Sequence, residues 1–335
     1  MHTKKFIVVG LVFLLSAAAC ARSAPTPTPT LVPTLGPEPI TLALGYIPSV
    51  QFAPFYVTIE KGYFREEGLE VRLRYGFESD MMKLVASGEI PFVIASGEEV
   101  VLARAQGLPL TYIMRWYNQF PVAVFAPKEA GLNEPKKLEG HKVGIPCLCG
   151  ASLTAWKALV YAAKVDEKAV NLQTIGFTQA ASVQEGKVEA AIDYIVNGPV
   201  QLRLAGREVD VIPVSNYIDL PANGLVTSEV VLLERPALAE KMVRALLKGL
   251  RDTLNNPDEA FRIALKVVPE AGGENEKVNR AIFDESLKLW QQPEPLGASD
   301  RATWETAVRF MREMGLITTD VDMDVLFTNR FIGGK

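Results

Sequence analysis

The sequence predicts an α/β protein of two similar lobes facing each other across a ligand cleft, with the chain crossing between them twice. Three observations carry this. The stretch Thr41–Phe77 reads strand, helix, strand, which makes a parallel βαβ unit. Its landmarks recur about one hundred residues later. From Pro236 onward the pattern becomes helical, with Pro and Gly between the segments.

Before the first strand stands a targeting segment, residues 1–19. Lys4-Lys5 precede an apolar run, Phe6–Leu15, that is too short to span a bilayer, and Ala17–Ala19 are small. Followed directly by Cys20, this resembles a bacterial lipoprotein signal, which implies a lipid on Cys20. Ala17 departs from that pattern, where Leu is usual. Residues 20–39 are dense in Pro and Thr and read as an extended tether.

Losing Lys4 and Lys5 with the leader leaves 33 of the 35 basic residues against 39 acidic ones, a net charge of −6. A mildly acidic chain without a basic run is no partner for nucleic acid. His141 is then the only histidine, too few for a His-rich metal site or a nucleophile–histidine pair. There is no phosphate loop and no dinucleotide fingerprint. No enzyme, metal or cofactor is therefore expected. Cys147 and Cys149, one residue apart, are too close for an ordinary disulfide and read as small residues in a tight turn.

The first unit opens with the alternating strand Thr41–Ile47, which breaks at Pro48. Pro54 suits the first turn of a helix, where its missing N–H costs nothing, and Gly62 suits the left-handed position that ends it. A second strand, Leu69–Tyr75, closes at Gly76-Phe77. The counterparts come in order: Gly144-Ile145-Pro146 for Tyr46-Ile47-Pro48, Gly176-Phe177 for Gly76-Phe77, and Gly186 for Gly88. A period this long does not build a solenoid; it builds two lobes. Residues 40–125 and 215–335 are read as lobe one with C-terminal helices, and 126–214 as lobe two. Leu238, Met242, Leu246 and Leu250 form one stripe of a strong helix.

Ligands of open α/β sheets bind beyond the carboxyl ends of the strands. Lobe one offers Gln51, Phe52, Phe77, Ser96, Glu98, Trp116, Tyr117 and Asn118 there. Lobe two offers the loop 147–152, Thr178, Asp193, Tyr194 and Asn197, and the return segment adds Asn223. Aromatic faces supply stacking surface, and amides carry a donor and an acceptor in one plane. The set suits a planar, neutral heterocycle. An oxyanion would want Arg, Lys or clustered N–H groups, and Arg115 is the nearest base.

The segments LGYIPSVQFAPFYV, EKGYFREEGLEV, RYGFESD, ASGEEVVLARAQGLPL, RWYNQFPVAV, IGFTQAA and NGLVTSE resemble the substrate-binding lipoproteins of ABC importers. The branch is that of thiamine-pyrimidine precursors and riboflavin, and the riboflavin binders are the nearer likeness. The pyrimidine binders' first loop usually reads Asp-Trp-x-Pro-Asn with a following His; this chain has Gly45-Tyr46-Ile47-Pro48-Ser49 and no His. The resemblance implies a two-lobe periplasmic-binding-protein fold. It implies a lipid-anchored, extracytoplasmic, monomeric receptor that delivers riboflavin to a permease. Its ring would stack on Trp116 or Tyr117 with Phe52 or Phe77. The pyrimidine-dione edge would meet Gln51, Asn118, Asn197 or Asn223, and the ribityl hydroxyls Ser96, Glu98 or Asp193. A formylaminopyrimidine-type precursor and an alkanesulfonate-like anion are the alternative ligands.

Overall fold

The computed structural model describes residues 36–333, so the targeting segment, Cys20 and the tether up to residue 35 lie outside the described residues. The strands are β1 (Glu38–Leu44), β2 (Leu69–Tyr75), β3 (Phe92–Ser96), β4 (Leu110–Arg115), β5 (Val122–Pro127), β6 (Lys142–Ile145), β7 (Asn171–Thr174), β8 (Ala190–Tyr194), β9 (Val209–Pro213) and β10 (Asn223–Ser228). They form two five-stranded sheets, ordered β2-β1-β3-β10-β4 and β7-β6-β8-β5-β9. β1 is parallel to β2 and β3, and β6 is parallel to β7 and β8. In each sheet the fourth strand alone runs against its neighbours: β10 in the first, β5 in the second. The two lobes thus share one strand order, as a repeated βα pattern dictates.

Two boundaries move. β1 starts inside the segment read as tether, where the Glu38 N–H donates to the Gly68 carbonyl at 2.8 Å and pairing with β2 begins. It ends at Leu44 rather than Ile47, and the chain bends through residues 45–48. The lobe boundary read at residue 125 falls within β5, which pairs only inside the second sheet. The crossings are therefore 116–121 and 214–222.

The first helix, Ala53–Glu60, carries Pro54 in its first turn, and Gly62 adopts φ 77° just after it. Helix Pro236–Asn255 buries its Leu238, Met242, Leu246 and Leu250 stripe and lies on Ala53–Glu60. Burial is worth about 1.5–3 kcal/mol for each such side chain. The two helices approach closely because position 249 is glycine. A Cβ there would collide with the Thr58 hydroxyl and sit 2.8 Å from the Pro54 carbonyl.

Helix Arg301–Glu313 packs on Gly97–Ala105, and Phe327 bridges to Tyr112 of β4, so the C-terminal segment covers the first sheet. Helix Glu276–Trp290 also reaches Gly198–Leu204 beside the second sheet. Between the lobes, the Thr154 hydroxyl donates to buried Glu99 at 2.8 Å. Among the described residues no helix is long and apolar enough to cross a membrane.

Candidate functional site

The parallel strands of both sheets end at a common cavity of about 780 Å³, mouth included. Of the residues proposed from the sequence, Gln51, Phe52, Phe77, Trp116, Tyr117, Asp193, Tyr194, Asn197 and Asn223 line it. Among the described residues no Lys, Arg or His does.

Two chains of hydrogen bonds tie the lobes together here. In the first, Gln51 Nε2 donates to Asn197 Oδ1 at 2.6 Å, and the Tyr117 hydroxyl donates to Gln51 Oε1 at 3.4 Å. Asn197 in turn reaches Asp193, which also accepts from the backbone N–H groups of Tyr194 (2.7 Å) and Gly198 (3.0 Å). In the second, Asn223 Nδ2 donates to the Tyr194 hydroxyl at 2.9 Å and to Ser96 Oγ at 3.2 Å. Ser96 then donates to Glu78 through its hydroxyl (3.1 Å) and its N–H (3.0 Å). Side chains at the ends of β3 and β8 and at the start of β10 are joined because those strands end at one level.

Burial pushes the Glu78 carboxyl up to about 8, with the nearby Glu99 adding to it, despite the two bonds from Ser96. Burial likewise lifts Asp193 to about 7 against its three hydrogen bonds. The acids facing the cavity are therefore held toward their neutral forms, and the site offers hydrogen bonds rather than charge. Because Glu78 binds its proton more tightly folded than unfolded, its stabilising contribution is complete below pH 4.5 and is lost as pH rises through 8. Glu78→Gln should flatten this slope. We expect it to match the wild type at pH 5 and gain about 1–2 kcal/mol on it at pH 9; urea unfolding at both values is the check.

The aromatic residues fall into two groups. Phe52 and Trp116 stack at 5.5 Å between centroids, and Trp116 and Tyr117 at 4.0 Å, each pair within 21° of parallel. Phe55 meets the indole at 64°. Both faces of Trp116 are thus covered, so a ligand cannot stack on it as the sequence suggested. Its indole N–H is buried and has no partner among the described residues. The second group is Phe77, Phe177 and Tyr46. Phe77 and Phe177 stack across the lobes at 5.3 Å, and Tyr46 meets Phe177 edge-on at 4.9 Å.

Other expected site residues lie elsewhere, Thr178 among them, its hydroxyl tied to the Ile175 carbonyl at 2.6 Å. Ser96 is fully buried behind Glu78 and Asn223. Glu98 is fully buried, its carboxyl is pushed up by burial, and neither oxygen has a partner among the described residues. Asn118 is exposed, with its N–H tied to the Leu289 carbonyl at 2.6 Å, because the crossing turns outward after Tyr117. Sequence reasoning missed Tyr46, Glu78, Ser79, Phe177 and Gln179, all at the wall. Phe177 was legible as the partner of Phe77 in the repeat.

Cys147 and Cys149 also line the cavity and, against expectation, are joined as a disulfide. The chain bends at Leu148 and Cys149, which brings their Cα atoms to 5.2 Å, within bonding reach. Among the described residues no cluster of His, Cys, Asp or Glu could hold a metal ion. His141 pairs with Glu189 at 2.9 Å, away from the cavity wall.

Two lobes of one topology closing on a cavity at their strand ends define a substrate-binding protein of the periplasmic-binding-protein fold. The solved periplasmic aliphatic sulphonate binding protein SsuA of Escherichia coli shares that fold at TM-score 0.69, with 13% identity, covering 90% of this chain and 95% of that one. The chain belongs to the NMT1/THI5 like family, whose pattern matches residues 49–260. It is 42% identical to the riboflavin-binding protein RibY of Chloroflexus aurantiacus, over 100% of this chain and 99% of that protein. It is 28% identical to the formylaminopyrimidine-binding protein of Halalkalibacterium halodurans, over 92% and 93%.

Proposed function

We propose that this protein is the extracytoplasmic receptor of an ABC importer, and that it captures riboflavin between its lobes and releases it unchanged to a permease. The observation that carries the reading is the cavity wall: aromatic rings and planar amides, no cationic side chain, and two carboxyls held toward neutrality. An isoalloxazine is flat, uncharged, and edged at one end with alternating C=O and N–H. Gln51, Asn197 and Asn223 carry the donors and acceptors that match that edge. The ribityl hydroxyls would meet Glu78, Ser79 or Asp193.

Similarity to a riboflavin-binding protein along the full chain supports the same ligand. The pyrimidine-precursor reading draws on the second relative. However, a single ring would leave the apolar mouth of this cavity unfilled. Cys20 would carry the lipid and residues 21–37 the tether, with a monomeric receptor at its end. The protein purified from riboflavin-fed cells should carry flavin absorbance, and riboflavin added to stripped protein should quench its tryptophan fluorescence saturably. A colourless protein whose fluorescence ignores riboflavin would overturn the reading.

A further inference from the structure

Phe77 follows β2 and Phe177 follows β7, each after a glycine, and the two positions correspond in the repeat. Large aromatic side chains usually leave water, yet these are 46% and 38% exposed. They stack on each other across the cleft, 23° from parallel, and both rings border the cavity. Gln51 and Asn197, bonded to each other across the lobes, are by contrast almost fully buried at the inner wall.

We propose that Phe77 and Phe177 are the two walls of a slot that grips the benzenoid end of a tricyclic ring. Selection of a flavin over a single-ring or two-ring pyrimidine then rests on this pair. The inference depends on the riboflavin reading above and assigns one end of that ligand. A flat ring held between two others needs each face at van der Waals distance, so the walls must stand roughly 7 Å apart. Their centroids are 5.3 Å apart in an offset stack, so the two rings touch, and the lobes must part at the two crossings by about the thickness of one ring to admit another. A ligand with a dione edge at one end and a dimethylbenzene at the other is oriented by exposed rings at the mouth and buried amides at the inner wall. One that ends at the dione gains nothing from the slot.

The test measures affinities of wild type, Phe77→Ala, Phe177→Ala and Phe177→Tyr for riboflavin, lumichrome (the tricycle without its sugar chain) and lumazine (the dione without the benzenoid ring). Each alanine variant should lose about tenfold for riboflavin and lumichrome, less than twofold for lumazine, with Phe177→Tyr close to wild type. Because both rings are exposed, melting temperatures should stay within a few degrees of wild type, which separates loss of grip from loss of fold. Unchanged riboflavin affinity in both alanine variants overturns the slot while leaving the receptor reading intact. An equal loss for all three compounds also overturns it, since the pair would then only hold the lobes shut. A wild type that binds no tricycle overturns both readings together.

Discussion

Trp116→Ala is expected to destabilise the fold by about 3–5 kcal/mol, the range for emptying a buried aromatic site. The indole is 2% exposed, with Phe52 on one face, Tyr117 on the other and Phe55 at its side. Removing it leaves three rings around a void at the start of the first crossing, where the chain leaves the first sheet. Trp116→Phe keeps a ring in the stack and should recover most of the loss. Urea unfolding followed by far-ultraviolet dichroism is the measurement. A midpoint for Trp116→Ala equal to that of the wild type would mean that the stack supports nothing. Loss of ligand binding in this variant is expected too, but as a consequence of a damaged wall.

Gln51→Ala should weaken riboflavin binding by about 10- to 100-fold. Gln51 and Asn197 are 4% and 5% exposed and share a 2.6 Å bond from one lobe to the other. Truncating one partner strands the other amide, and the Tyr117 hydroxyl loses its acceptor as well. A buried group left unsatisfied costs about 1–3 kcal/mol, and here the cost falls on the closed form, which holds the ligand. Asn197→Ala should behave alike, and the double variant should lose less than the two single losses combined. Asn118→Ala is the control: it removes an amide of the same type from an exposed position and should leave affinity unchanged. Equal losses for Asn118→Ala and Gln51→Ala would detach affinity from the interlobe bond.

Much of this architecture was legible because βα punctuation is local. Pro54 opens a helix, Gly62 and Gly176 adopt the left-handed backbone that favours glycine, and Gly76 and Gly176 recur because the lobes repeat. The strand-end rule likewise brought Gln51, Tyr117, Asp193 and Asn197 to one place. The rest depended on what stands opposite. Nothing in the sequence says that Trp116 has a ring on both faces, since Phe52 arrives from another loop. Glu78 carried no signal of its own in the sequence, and its role depends on Ser96, which bonds to it in the interior. The Cys147–Cys149 bond follows from a bend at Leu148 that the spacing alone does not reveal.

Calorimetric titration of stripped protein with riboflavin, repeated at low and high salt and with formylaminopyrimidine and an alkanesulfonate as competitors, addresses the central claim most directly. An uncharged aromatic guest between the lobes predicts one riboflavin per chain, an affinity indifferent to salt, and little displacement by either competitor. No heat with riboflavin, together with salt-sensitive binding of the sulfonate, would contradict it.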